Sequence, residues 1–107
     1  MKTVIIIPAR YKSTRFPGKP LTLIQGKPMI LWVAELCAEV LPAEFVYVAT
    51  EDFQIKEIVE KAGFNVVMTS NKCPTGTDRI AEAATQIEAD IYINVQGDEP
   101  LFNNLFN

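Results

Sequence analysis

Residues Val4-Ile5-Ile6-Ile7 are apolar without alternation, and the run ends at once in Pro8. A half-exposed strand alternates apolar and polar side chains. A strand apolar at every position needs cover on both faces, as in a parallel sheet between two layers of helix. The start of this chain is therefore expected to form a central strand, Thr3–Ile7. Similar short runs rich in β-branched residues recur at Phe45–Ala49, Asn65–Met68 and Ile91–Val95, with amphipathic stretches between them.

The first of these stretches begins at Pro28, a residue preset for the first turn of a helix, and places Met29, Ile30, Val33, Leu36, Cys37, Val40 and Leu41 on one face. The second has Asp52 as an N-cap, a stripe of Ile55, Ile58, Val59 and Ala62, a Glu57–Lys61 pair one turn apart, and a stop at Gly63. The third is expected from about Thr77, as N-cap, to Glu88. Strands alternating with helices give an α/β fold: a three-layer, doubly wound, mostly parallel sheet. Such sheets bind ligands beyond the carboxyl ends of their strands.

The loop after the first strand, Pro8 to Leu21, has four cations (Arg10, Lys12, Arg15, Lys19) among its fourteen residues, in a chain whose net charge is −3. Arginine forks, compact lysine charges and the hydroxyls of Ser13 and Thr14 suit a polyphosphate. The alternative is a set of solvated loop charges, and the loop's place after the first strand favours the phosphate cradle. Gly18, between Pro17 and Lys19, permits close backbone approach. Neither GxGxxG nor GxxxxGK[ST] is present, which argues against dinucleotide and P-loop sites.

The last strand runs into Gln96-Gly97-Asp98-Glu99-Pro100. Asp98 is either turn chemistry or, beside the cationic loop, a hard oxygen ligand for Mg²⁺. In the middle segment Thr75-Gly76-Thr77-Asp78-Arg79, the arginine either faces solvent or reaches a nucleotide across the sheet edge. Glu51 and Asp52 are expected to be helix-start charges rather than ligands.

Composition limits the rest. With 107 residues, 49% of them hydrophobic, the chain suits one domain with one modest core. The acidic balance supplies no basic face for nucleic acid, and the Val4–Ile7 run is too short for a membrane span or a leader. Cys37 and Cys73 form no CxxC and no histidine exists, so a zinc site is not expected; Cys37 reads as a core residue, and both thiols fit a reducing cytoplasm.

Three segments in order resemble the 3-deoxy-manno-octulosonate cytidylyltransferases, or CMP-Kdo synthetases: Ile6 to Leu21, Thr75 to Arg79, and Val95 to Pro100. The resemblance implies transfer of CMP from CTP to an acid sugar with release of pyrophosphate, Mg²⁺ as cofactor, a cytoplasmic enzyme and a homodimer in the full-length family. By motif position it places the nucleotide on Ala9, Arg10, Ser13, Thr14, Arg15 and Lys19, with Arg10, Ser13, Arg15 and Lys19 on the triphosphate. Thr75, Arg79 and Gln96 become candidates around cytidine, Asp98 the metal ligand, and Arg10, Lys19 and Asp98 the catalytic set.

Family members continue beyond the third motif, and Leu101 to Asn107 departs from their usual continuation. The expectation is a single domain over 1–107, cut after the fourth strand, without the sugar-acid site, the second metal-binding aspartate or the dimer surface. An open sheet edge would then favour self-association. Competing expectations are a cytidylyltransferase for sialic acid or another acid sugar, and a catalytically incomplete fragment that binds CTP.

Overall fold

The computed structural model describes residues 1–12, 17–72 and 75–96. In chain order the elements are β1 (Thr3–Pro8), β2 (Leu23–Ile24), β3 (Lys27–Pro28), α1 (Met29–Cys37), β4 (Val46–Thr50), α2 (Phe53–Lys61), β5 (Asn65–Met68), α3 (Gly76–Ala84) and β6 (Ile91–Asn94). Four strands form one parallel sheet in the order β5-β4-β1-β6, with Ile5 opposite Val46 on one side of β1 and Thr3 opposite Ile91 on the other. The first strand is central, as its unbroken apolar run requires.

Each face of β1 meets its own layer. Ile5 and Ile7, with Val46 and Val48, pack against Ile30, Val33 and Cys37 of α1 and Ile55 and Val59 of α2. Val4 and Ile6, with Ala49 and Val67, pack against Ala83 of α3 and against Ile87. All four β1 side chains are buried, and each contributes about 1.5–3 kcal/mol of transfer free energy. Cys37 lies in the first of these cores, where burial pushes its thiol up to about 11.

The helices differ from expectation at their ends. α1 stops at Cys37, and Val40, placed by pattern on the inner stripe, is 73% exposed. Beyond Cys37 the amides of Glu39 and Val40 bond three residues back, to Leu36 and Cys37. That tightens the turn to about 120° per residue and swings Val40 outward. α2 starts as expected: Asp52 accepts from Ile55 N at 2.9 Å, and Lys61 sits 3.4 Å from Glu57. The cap of α3 is Thr75 rather than Thr77, and the helix ends at Ala84 rather than Glu88.

The hairpin of β2 and β3 was not foreseen. Gln25 (φ 52) and Gly26 (φ 80) both take left-handed backbone, the geometry that lets two residues reverse a chain between strands. Trp32 donates from Nε1 to the Ile24 carbonyl at 2.9 Å, and the Lys27 ammonium sits 4.0 Å from the centre of its ring. The hairpin thereby rests on α1.

Candidate functional site

From β1 the chain steps outward to β4 and β5, then returns to lay β6 on the other side of β1. Strand order reverses between β1 and β6, so a crevice is expected at their carboxyl ends. The segments singled out by the sequence gather along this edge.

β1 is carried past Pro8 by Ala9, which is buried and donates its N–H to Ala49 O at 2.9 Å. Arg10 then emerges exposed at the mouth. The loop closes on itself where Gly18 N donates to Tyr11 O at 2.8 Å. Gly18 has φ 74, and a Cβ there would stand 3.0 Å from Tyr11 Cε2. Its role is thus to close the loop against the tyrosine ring. Lys19 follows as the first residue of a short 3₁₀ turn, Lys19–Leu21, held by Leu21 N to Gly18 O at 2.9 Å and Thr22 N to Lys19 O at 3.0 Å. These backbone bonds fix where Lys19 leaves the chain.

Gly18→Ala combines left-handed strain with a ring contact that must give way, and should cost about 1–2 kcal/mol in urea unfolding. Unchanged stability would mean that the loop closes with Gly18 at negative φ.

α3 brings the middle segment to the same edge. At Gly76 an added Cβ would lie 3.6 Å from Pro8 Cγ, so the start of α3 stands beside the end of β1. The Thr75 hydroxyl accepts from Asp78 N at 3.1 Å and donates to Asp78 Oδ2 at 2.8 Å, so it serves the cap. Arg79 does not face solvent: it is 1% exposed. Its Nη1 donates to Thr69 Oγ1 and, at 3.2 Å, to the Ser70 carbonyl just beyond β5. Nε and Nη2 are buried with no hydrogen-bond partner among the described residues. Two unmet donors on a buried cation are costly, and such groups mark places where a further partner belongs.

Glu51 corrects an expectation. It does not act as a helix-start charge, because Asp52 alone caps α2. Its Oε1 and Oε2 each accept from Tyr11 N at 3.1 Å, and Oε2 accepts from Lys12 N at 2.9 Å. Burial raises the pKa of this carboxyl, but the N–H donors of Lys12, Glu51 itself and Tyr11, with the Arg79 charge, outweigh it and leave the group below its ordinary value. The acidic doublet after a strand was the available signal, since a single helix start uses one cap.

Val95 N donates to Ile6 O at 3.1 Å, which brings Gln96, exposed, out beside the start of the first loop. The structure therefore brings Ala9, Arg10, Lys19, Thr75, Arg79 and Gln96 to one sheet edge. Ser13, Thr14, Arg15 and Asp98 lie outside the described residues.

Residues 4–104 match the family model described as Cytidylyltransferase. The chain is 58% identical over 106 residues to 3-deoxy-manno-octulosonate cytidylyltransferase 2 of Hydrogenovibrio crunogenus, covering 96% of this chain and 43% of that protein. It is 51% identical over 106 residues to the 8-amino-3,8-dideoxy-manno-octulosonate cytidylyltransferase of Shewanella loihica, again 96% and 43%. Among solved structures, a CMP:2-keto-3-deoxy-manno-octonic acid synthetase complexed with CTP superposes with a TM-score of 0.85 at 52% identity, covering 94% of this chain and 42% of that one. A cytidylyltransferase from Leptospira borgpetersenii gives 0.78 at 31%, covering 94% and 43%. The chain thus spans about two-fifths of the length of these relatives. With the match running from β1 through β6 and over every segment at the sheet edge, this chain belongs to the cytidylyltransferase family.

Proposed function

We propose that this chain forms the CTP-gripping part of an enzyme that transfers CMP to 3-deoxy-manno-octulosonate, releasing pyrophosphate, for lipopolysaccharide synthesis in the cytoplasm. The observation that carries the reading is that the β1 loop and Gln96 leave the sheet at the carboxyl ends of β1 and β6, where strand order reverses, while Arg79 lies buried beyond the same end of β5. Arg10 and Lys19 face the triphosphate, joined by Ser13, Thr14 and Arg15 of the same loop. Arg79, with its unmet Nε–H and Nη2–H, and Gln96 are the donors for the acceptor atoms of cytosine and ribose.

The acceptor sugar's hydroxyl oxygen attacks the α-phosphorus, the bond to the pyrophosphate oxygen breaks, and the hydroxyl proton is released. Arg10 and Lys19 orient the phosphates for in-line attack and meet the charge that grows on the leaving group. Asp98 would hold Mg²⁺, which neutralises phosphate charge when bound; one carboxylate with phosphate oxygens is a donor set that suits this ion.

Relatives named for the sugar and for its 8-amino analogue share 51% identity with this chain alike. A second reading of the acceptor, another acid sugar, keeps the same nucleotide chemistry. The test is pyrophosphate release from CTP, Mg²⁺ and 3-deoxy-manno-octulosonate, beside a CTP thermal-shift titration of the same sample. Turnover with this sugar supports the full reading. A CTP-dependent shift without turnover leaves a nucleotide-binding unit, and absence of both sinks the reading.

A further inference from the structure

We propose that Glu51 is a positioning residue whose carboxylate sets the shape of the phosphate-binding loop. The inference rests on the CTP reading above. Glu51 follows β4 and belongs to none of the three segments that carry the family resemblance, yet its oxygens take the consecutive N–H groups of Tyr11 and Lys12. Consecutive amides turned to one side form an anion-binding concavity, and here the protein fills it with its own carboxylate.

That contact governs both cationic arms. Arg10 directly precedes the pinned amides. On the other side, the Tyr11 carbonyl accepts from Gly18 N, and Gly18 fixes the turn that presents Lys19. One line of bonds therefore runs from Glu51 through Tyr11 and Gly18 to Lys19. Burial opposes ionisation of this carboxyl, the N–H donors of Lys12, Glu51 itself and Tyr11 favour it, and the charge of Arg79, also buried at this edge, adds to them.

Charge alone predicts the opposite of this role. A carboxylate beside a loop meant for phosphates repels the ligand, so its removal should tighten CTP binding if Coulomb repulsion were its main effect. A positioning role predicts weaker binding despite the lost repulsion. Glutamine at the same position keeps one acceptor oxygen, but its NH₂ faces the second amide, and alanine removes both bonds.

The experiment measures CTP and cytidine affinity by NMR titration for the 107-residue chain, Glu51→Gln and Glu51→Ala, with hydrogen exchange of the Tyr11 and Lys12 amides read from the same spectra. Both variants are expected to keep the dispersed spectrum of the fold, to lose protection at those two amides, and to bind CTP at least ~10-fold more weakly, the effect of about one charge-assisted hydrogen bond. Cytidine, which lacks phosphates, should bind within about twofold of the unaltered chain; a general loss of structure would weaken both ligands alike. Equal or tighter CTP binding by Glu51→Gln overturns the positioning role and leaves the nucleotide reading standing. Failure of the unaltered chain to bind CTP overturns both, even with the two amides protected.

Discussion

Arg79→Met is expected to leave the melting temperature of the free chain within about 4 °C of its unaltered value, or above it, and to abolish the stabilisation by CTP. The guanidinium is almost fully buried, and among the described residues only Nη1 is satisfied, by Thr69 and Ser70. Methionine fills similar volume with no donor to satisfy. Replacing buried charge by apolar volume is often neutral or stabilising, and here the relief of Nε and Nη2 offsets the acceptors left at Thr69 and Ser70. A gain of 1 kcal/mol would raise the melting temperature by roughly 4–8 °C in a domain of this size.

CTP responds in the opposite sense. Loss of two charged donors to the base or ribose is expected to remove about 2–3 kcal/mol of binding, roughly a 30- to 150-fold rise in Kd. Calorimetric titration beside thermal melting checks both halves. Full CTP affinity in Arg79→Met would show that its buried donors serve the fold alone, and a collapse of the free chain would show that they stabilise it. The two results together would make Arg79 a place where stability and binding pull apart, as functional sites commonly make them do.

The architecture was legible because its signals are long-range and redundant. Four uninterrupted residues at Val4 to Ile7 demanded cover on both faces, and the layers of α1, α2 and α3 supply it. The Asp52 cap and the Gly63 stop bracket α2 through local bonds that its own sequence encodes. Features decided by a few tenths of a kcal/mol or by distant partners were less legible. Thr75 and Thr77 are equivalent as hydroxyl caps, and packing of Gly76 against Pro8 accompanies the choice of Thr75. The Gln25-Gly26 hairpin is too short for an alternating pattern to register.

For the site, the same division holds. Arg10, Lys19 and Gln96 reach the expected edge because strand ends dictate where their loops begin. Arg79 and Glu51 could not be settled along the chain. Arg79 left solvent and nucleotide as equal alternatives along the chain, and only the fold shows that it is buried against Thr69 and Ser70 after β5. Glu51 likewise acquires its partners from Tyr11 and Lys12, 40 and 39 positions away. Buried polar contacts across the sheet edge are non-local by construction, so one sequence read linearly does not display them.

Lys19→Ala should be the most damaging change to catalysis. Where pyrophosphate is released, the rate is expected to fall about 100- to 1000-fold, the loss of one contact to charge developing in the transition state, worth about 3–4 kcal/mol. It is carried by the Lys19–Leu21 turn, whose backbone Pro20 stiffens and Gly18 anchors, so the backbone at Lys19 is set before the ligand arrives. Preorganisation is what makes such a charge more effective than a mobile one. Lys19→Arg keeps the charge but replaces a compact ammonium by a wider fork on the same fixed turn, and should recover CTP affinity more than rate. Rising salt should weaken CTP binding less in Lys19→Ala than in the unaltered chain, because one screened attraction is already gone. A rate within threefold of the unaltered chain, or an identical salt dependence, would move Lys19 from the triphosphate to the solvated surface and leave Arg10 and Arg15 as the loop's phosphate ligands.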